Sequence, residues 1–371
     1  LKTVKSLFNT IPTFDNLLLA TRKARMGKRY KEKTSKFEEN LENEIIKLQH
    51  ELTTKTYRPG KYRSFDIYEP KKRMISAAPY RDRVVHHALC NIIEPVFEPA
   101  FIFDSYANRK GKGTHRAILK YQHFARTYKY VLKADIQKYF PSIDHQTLKQ
   151  AIRRKITCKD TLWLIEMIID NSNPQEPVFN LFPGDDLFTA SERRRGIPIG
   201  NLTSQFFANI YLNAFDHFIK ETLRCKAYIR YVDDFVIFSN SKNELWEILR
   251  KCALFLQNYR LVLHPKKSTV HRVRDGVEFL GHRVFPKCRL LKKQNIHRFK
   301  KRFRKMVRLF YAGKLTKEKL VCRYNSWQGH AAFSKTYRLR FKIYRFLRYK
   351  GINTKWVSCM AIRGTIPKNS L

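Results

Sequence analysis

Acidic residues are scarce in this chain. Its 371 residues include 31 Asp plus Glu against 75 Lys plus Arg, for a formal net charge of +44. With 43% hydrophobic and 13% aromatic residues beside that surplus, the composition excludes a disordered basic tail. It describes a folded body with a polyanionic partner, nucleic acid before an acidic membrane surface. Long apolar runs are missing too. Nothing approaches the roughly 18 consecutive apolar residues that span a bilayer, and no secretory signal or lipidation motif is visible, so no membrane role is expected. The first residue is Leu1 rather than Met, which leads to the expectation of a trimmed N-terminus that hides any true signal. The seven cysteines (Cys90, Cys158, Cys225, Cys252, Cys288, Cys322 and Cys359) are odd in number and scattered, with no Cys-x-x-Cys pair. That spacing excludes a zinc ribbon and a disulfide framework and predicts reduced core thiols in a cytoplasmic protein. No internal repeat is evident, and the length allows two or three domains or one elaborate one.

Residues 1 to 36 form a basic lead-in, with Arg22, Lys23, Arg25, Lys28 and Arg29 close together. Leu41, Ile45, Leu48 and Leu52 at helical spacing predict a helix that Pro59-Gly60 stops. Val85, Leu89, Ile92, Ile93 and Val96 predict a second helix over Arg83 to Phe97. Tyr130 to Ile136 predicts a strand ending in an acid, and Pro174 to Arg195 an irregular loop. Helices are expected over Asn201 to Lys220 and Lys242 to Gln257, and a short strand around Val277 to Val284. Residues 287 to 350 hold 22 Lys or Arg and a single acid, Glu318. Within them Ile296, Phe299, Phe303, Val307 and Phe310 repeat at three and four residues, while Arg298, Lys301, Arg302, Arg304 and Lys305 fill the intervening faces. That is an amphipathic helix whose exterior suits a phosphate backbone better than mere solvation, because a solvated face mixes both signs of charge.

Tyr231-Val232-Asp233-Asp234 carries the most information. Two adjacent carboxylates stand between the apolar runs Ala227-Tyr228-Ile229 and Phe235-Val236-Ile237-Phe238, which predicts a strand, a tight turn and a second strand with the acids at the tip. Paired carboxylates repel and are costly to desolvate, so a partly buried pair needs cations. Mg²⁺ suits them, being hard, oxygen-seeking and readily shared with phosphates. On these four residues alone an exposed Asp-Asp turn remains the alternative. Asp135, at the end of a separate strand, supplies the further carboxylate that a two-metal phosphoryl-transfer site needs.

With Asp135 on one strand and a Tyr-x-Asp-Asp turn on the next hairpin, the chain resembles the reverse transcriptases. Other blocks of that family follow in order beyond about residue 37, including Arg73-Met74-Ile75-Ser76-Ala77-Ala78-Pro79-Tyr80-Arg81-Asp82-Arg83 and Phe103-Asp104-Ser105-Tyr106-Ala107-Asn108-Arg109. The resemblance implies an α+β right-hand polymerase with an antiparallel palm sheet and a helical basic thumb. Its expected parts are a basic extension over 1–36, fingers over 37–125 and 150–200, palm over 126–149 and 201–286, thumb over 287–350 and a tail over 351–371. The implied activity is RNA-directed DNA synthesis from dNTPs on template RNA, with cDNA as product and two Mg²⁺ ions, or Mn²⁺ in vitro, as cofactor. Asp135 and Asp233 are the implied principal ligands, Asp234 a weaker one, and the Ile136 carbonyl stands beside them. Arg73 is implied as a triphosphate contact, while Arg109, Lys292 and Lys293 join Arg298, Lys301, Arg302, Arg304 and Lys305 as nucleic-acid contacts. Phe140, five residues after Asp135, occupies the place of the aromatic gate that leaves no room for a 2′-hydroxyl, so the monomer is expected to be a deoxynucleotide. In His264-Pro265-Lys266-Lys267-Ser268, Lys267 or Lys266 is implied near the leaving pyrophosphate, to stabilise or protonate it. Phe279-Leu280-Gly281-His282 looks like the primer-gripping hairpin, and the Trp of Ser326-Trp327-Gln328-Gly329-His330 like thumb packing.

Gly196-Ile197-Pro198-Ile199-Gly200-Asn201-Leu202-Thr203-Ser204-Gln205 stands where group II intron and retron enzymes carry Gln-Gly-x-x-x-Ser-Pro. Ile199 replaces the Gln and Gln205 the Pro, a pattern similar to diversity-generating retroelement reverse transcriptases, and Ile199, Gly200 and Gln205 are expected at the dNTP. Those enzymes miscopy a template-repeat RNA at adenines. An aliphatic side chain at Ile199 removes a polar restraint of about 1 kcal/mol near the nascent pair, which weakens discrimination. Only 21 residues follow position 350, with no recognisable endonuclease or maturase extension. The resemblance therefore implies a small basic pentameric accessory protein as partner, in a bacterial, archaeal or phage-encoded setting. The competing expectations are a group II intron or retron-type enzyme of ordinary fidelity and a catalytically silent RNA-binding protein on the same fold.

Overall fold

The computed structural model describes residues 4–68, 72–178 and 180–354; Cys359 and the rest of the tail from 355 lie outside them. The chain divides into two compact units, the first formed by the residues up to Lys110 with Lys133–Ile237 and Trp246–Thr269, the second by Gly111–Leu132, Phe238–Leu245 and the chain from Val270.

The basic lead-in conceals an apolar stripe. In α1 (Phe14–Ala24), Leu17, Ala20 and Ala24 are buried. Helix α2 (Glu32–Glu39) is short, and α3 (Leu41–Thr53) buries Ile45, Leu48 and Leu52 as their spacing predicts. It ends before Pro59, however. The Thr54 N–H closes on the His50 carbonyl and Lys55 turns left-handed at φ 59°, so a local cap rather than the proline stops it. Strands β1 (Arg63–Ile67) and β2 (Arg73–Ala77) form an antiparallel pair that the sequence did not suggest. Helix α4 (Tyr80–Phe97) starts three residues earlier than expected, directly after Pro79. Its Asp82 carboxylate accepts from the Tyr57 hydroxyl at 2.7 Å and the Gly60 N–H at 2.8 Å, which anchors the loop before β1.

Next come α5 (Thr114–Thr127), β3 (Tyr130–Asp135), the single turn α6 (Tyr139–Ser142), α7 (His145–Arg153) and α8 (Lys159–Asp170). The segment expected as a loop contains α9 (Leu187–Glu192), whose N-terminus is capped by Asp186 accepting from the Thr189 N–H. The helix expected over Asn201 to Lys220 is broken into α10 (Leu202–Tyr211), α11 (Asn213–His217) and a π-helical turn over Phe218–Thr222. The hairpin strands β4 (Tyr228–Tyr231) and β5 (Asp234–Ser239) lead to α12 (Lys242–Asn258). The chain closes with β6 (Thr269–Arg272), β7 (Val277–Phe279), β8 (His282–Val284), β9 (Arg289–Leu291), α13 (Lys293–Tyr311), α14 (Lys317–Ala332) and α15 (Tyr337–Tyr349). A four-stranded sheet has the order β4-β5-β3-β6 and a three-stranded antiparallel one the order β7-β8-β9. The fold is α+β.

In the first unit α4 packs on α1 and α10, and α10 also meets α7. Phe206 of α10 lies edge-on to Phe97 and Phe101, filling the joint between helix and following loop. In the second unit Tyr121 of α5 stacks on Phe279 at 5.1 Å, and the Gln122 amide donates to the Phe285 carbonyl at 3.0 Å. The stretch expected from its pattern as a short strand around 277–284 is a hairpin, as the resemblance implied at Phe279-Leu280-Gly281-His282, turned by Leu280 and Gly281, both left-handed. Gly276 approaches Phe285 so closely that a Cβ would lie 2.4 Å from its ring, which restricts the position to glycine. Phe303, Val307, Leu320, Tyr324, Ile343 and Leu347 form one core joining α13, α14 and α15.

Candidate active site

Along β3 Val131, Leu132 and Ala134 are buried, and Asp135 stands at the strand end, partly exposed. The β4–β5 hairpin pairs Tyr231 with Asp234, leaving a two-residue turn of Val232 and Asp233. Val232 adopts φ 58°, a left-handed conformation that is strained for a β-branched residue. What holds it is a buried charge pair that sequence reasoning missed. Arg230, fully buried, donates from Nη1 to the Val232 carbonyl at 3.1 Å while Nε and Nη2 make a fork on the equally buried Asp216 at 2.7 and 2.6 Å. Tyr228 adds its hydroxyl to Asp216 at 2.7 Å. The available signal was an arginine at an inward position of an otherwise apolar strand.

Backbone bonds join the two acidic segments. The Ile136 N–H donates to the Asp233 carbonyl at 3.2 Å, and the His264 N–H donates to the Asp135 carbonyl at 2.7 Å. Asp135, Asp233 and Asp234 act on one another electrostatically. Burial, followed by the charges of Asp234 and Asp135, pushes Asp233 up to about 7, with Arg73 opposing the rise. Asp234 is also raised, first by burial and then by Asp135, with which it shares a hydrogen bond; Lys133 and Lys267 oppose it. Lys267 Nζ sits on Asp135 Oδ2 at 2.8 Å. The lysine expected near pyrophosphate therefore pairs with a carboxylate in this structure. Among the described residues no group of three or more His, Cys, Asp or Glu side chains is drawn together as a ready metal cage. The donor chemistry nonetheless fits a hard divalent cation: oxygen ligands, partly buried, with Asp233 and Asp234 raised in proton affinity by burial and by neighbouring carboxylate charge.

Around this cluster the first unit arranges the other expected residues. Lys138, left-handed at φ 46°, turns the chain into α6, which leaves Phe140 half-exposed beside the buried Tyr139. Tyr139 is fixed by its hydroxyl, which donates to the Ala208 carbonyl at 2.6 Å. The Gly196 to Gln205 block is pinned from two directions. The Ile197 N–H donates to the Phe140 carbonyl at 3.0 Å, the Ser76 N–H donates to the Ile199 carbonyl at 3.0 Å, and the Asn201 amide bridges the Ser76 carbonyl and the Ala78 N–H. Gly200 needs its φ of 117°, and a Cβ there would meet Ile75 at 3.1 Å. Ile199 and Gly200 thus lie between Phe140 and β2, whose first residue is the exposed Arg73, while Gln205 is half-buried on α10.

Other expected residues are placed elsewhere. Arg109 turns inward, its guanidinium donating to Glu98 and to the Ile102 and Ser105 carbonyls while lying over the Phe101 ring. In the second unit Lys292 pairs with Glu278 at 2.6 Å, Lys293 opens α13, and Lys301, Arg302, Arg304 and Lys305 lie on its exposed face with Arg298 half-buried beside them. The six described cysteines form no disulfide with one another, and no helix among the described residues is long and apolar enough to cross a membrane.

Comparison with known proteins supplies the family. Protein YkfC of Escherichia coli K12 is 28% identical over 286 residues, covering 66% of this chain and 72% of that protein. Group II intron-encoded protein LtrA of Lactococcus lactis is 21% identical over 311 residues, and the match spans only half of its length. Among solved structures, apo telomerase from Candida tropicalis superposes with a TM-score of 0.50 at 11% identity, over 82% of this chain and 61% of that one, a likeness of fold alone. The reverse transcriptase (RNA-dependent DNA polymerase) model matches residues 63–284, more than half the chain and the whole stretch that carries the three carboxylates, so the chain belongs to the reverse transcriptase family.

Proposed function

We propose that the chain extends a primer 3′-hydroxyl with dNTPs on an RNA template through Asp135, Asp233 and Asp234, and that it serves a diversity-generating retroelement by copying a template-repeat RNA into adenine-mutagenised cDNA. The observation that carries the catalytic part is the convergence of three carboxylates from two strand ends, where burial and the charge of Asp135 raise Asp233 and Asp234, in a chain of net charge +44. Asp135 and Asp233 would hold two Mg²⁺ ions, or Mn²⁺ in vitro, with Asp234 and the Ile136 carbonyl beside them. Bound there, the ions supply Lewis-acid stabilisation of the attacking and leaving oxygens. Lys267, close enough to neutralise Asp135, is a cation available to the leaving pyrophosphate. Arg73 offers its guanidinium to the triphosphate. The Phe140 ring excludes a 2′-hydroxyl, so that DNA rather than RNA is made. Fingers over 37–125 and 150–200, palm over 126–149 and 201–286, and thumb over 287–350 remain the domain boundaries of this reading.

The retroelement part rests on Ile199. Its place between Phe140 and β2 would put an aliphatic surface, not a hydrogen-bonding amide, against the nascent pair, and a discrimination term of about 1 kcal/mol is lost. A small basic accessory protein is the partner this reading requires. The second reading, an intron-type enzyme of ordinary fidelity, is favoured by the intron-encoded relative from Lactococcus lactis. Primer extension on a defined RNA template with Mg²⁺ and four dNTPs, with products sequenced, decides between them. Errors clustered at template adenines support the first, evenly accurate cDNA supports the second, and no product with either metal, with or without an accessory protein, overturns both.

A further inference from the structure

Two helices of the same core present different surfaces. Along α13 Phe303 is buried and Phe299 lies flat on Trp327 at 3.9 Å and 3°, while the terminal Tyr311, 57% exposed, donates its hydroxyl to the Lys350 carbonyl. Cations fill the exposed face of this helix. On α15 the core takes Arg340, Ile343 and Leu347, and the opposite face exposes aromatic rings: Tyr337 is 57% exposed, Phe341 and Phe346 40% each, and Tyr349 85%. Arg338, Lys342, Arg345 and Arg348 are exposed among them, with no acid anywhere in the helix. At four-residue spacing, Tyr337, Phe341, Arg345 and Tyr349 form one row and Arg338, Lys342 and Phe346 the next. Tyr337 and Phe341 hold their rings parallel, 6.0 Å apart at 7°.

A face made for solvation would not hold four large rings, and a face made only for phosphates would resemble α13. Rings interleaved with cations match a polymer that offers anionic phosphates and free base planes together. That polymer is single-stranded, since a duplex turns its base planes inward. We propose that the exposed face of α15 is a stacking platform for single-stranded RNA, distinct from the phosphate-directed face of α13. The choice of RNA rests on the reverse transcriptase reading; the stacking does not.

The test uses the full chain, a fluorescein-labelled single-stranded RNA of about 15 nucleotides, enough to occupy a single-strand site, and an RNA–DNA duplex of equal length. The Tyr337→Ala/Phe341→Ala variant is expected to weaken single-strand binding about tenfold or more, leave duplex binding within about twofold, and keep the slope of log K against log salt. Lys301→Ala/Lys305→Ala is expected to weaken both ligands and flatten that slope. Because the ring variant places its changes on an exposed face, its melting temperature is expected to match the parent. Should it fail to fold, 4-thiouridine cross-linking to the unaltered chain provides the readout, with adducts expected within residues 337–349. Unchanged single-strand affinity, an equal loss on duplex, or cross-links confined elsewhere overturns the proposal. A ring variant that instead loses self-association or binding of the accessory protein makes the face a protein interface, which also overturns it. Failure of the polymerase reading is separate: it appears as absent primer extension on a pre-annealed template with the unaltered chain, whatever α15 binds.

Discussion

The first unit buries an ion pair beneath its hairpin turn, and the second spreads cations over exposed helix faces. Arg230 and Asp216 are wholly buried beneath the Val232–Asp233 turn, and Lys267 closes on Asp135 at the edge of the same cluster. Residues 287 to 350 carry 22 cations and one acid, and along α13 most of those cations face solvent. A buried pair recovers little net stability after desolvation, but truncating one partner is costly, so its geometry is held tightly. An exposed cation fixes no geometry and adds to a potential felt by any polyanion. Chemistry on one phosphorus atom needs placed charge; holding a long strand needs accumulated charge. In the proposed reading the two units divide those requirements.

Removing the placed charge has the largest expected effect. Asp233→Asn with Asp234→Asn keeps the side-chain volume and deletes two negative charges, and primer extension is expected to fall by at least about a thousandfold. Filter binding of template RNA is expected to hold or tighten, since the net positive charge rises. Retained synthesis would break the assignment of this cluster.

Asp216→Ala attacks the pair beneath the turn. Arg230 is then buried with no counter-ion, and a loss of about 3–5 kcal/mol is expected in urea unfolding. Replacing both, with Asp216→Leu and Arg230→Met, is expected to restore most of that stability while extension stays low, because the Val232 carbonyl has lost its donor and the strained turn its restraint. An apolar double variant with full activity would show that the pair stabilises without positioning.

His282 tests the contrast from the other side, being a wholly buried ionisable group in the unit that displays its charge. Burial first, then the charges of His330, His115 and Arg289, lowers it to about 4, and its Nδ1 meets the Ser334 hydroxyl at 2.8 Å. In the unfolded chain a histidine binds its proton near pH 6.5. Below that pH this residue is protonated in the unfolded state and not in the folded one, so the His282 contribution to stability falls as pH drops from about 6.5 through about 4, by on the order of 3 kcal/mol. Urea midpoints at several pH values check this, and His282→Asn is expected to flatten the dependence. The same slope in that variant would assign the acid sensitivity elsewhere.

What the sequence made legible was local. Asp135 and the Asp233-Asp234 pair were marked by their places at the ends of apolar runs, and α3, α4 and α13 follow from apolar spacing. What stayed hidden depends on partners distant in the chain. The break of 201–220 into α10, α11 and a π turn, the Arg230–Asp216 pair and the inward turn of Arg109 are decided by packing that no single segment encodes. Gly281 is a different case. The segment pattern gave a short strand around 277–284, whereas the resemblance marked Phe279-Leu280-Gly281-His282 as the hairpin it forms. The rings of α15 were concealed by arithmetic, since counting cations over 287–350 says nothing about which residues lie between them.

The smallest expected effect concerns a residue without charge. Ile199 sits in a segment whose backbone is tied to Phe140 on one side and to Ser76 on the other, so a side-chain change there alters chemistry with little movement of the chain. Ile199→Gln adds one hydrogen-bonding group where the candidate nascent pair lies, and a hydrogen bond of about 1 kcal/mol corresponds to roughly a fivefold change in the ratio of correct to incorrect incorporation. Sequenced extension products are therefore expected to show misincorporation opposite template adenine reduced by about that factor, with the rate of correct incorporation nearly unchanged. A fall in both together would mean that the amide disturbs Phe140 rather than reading the base pair. An unchanged error spectrum would remove Ile199 from the account of fidelity.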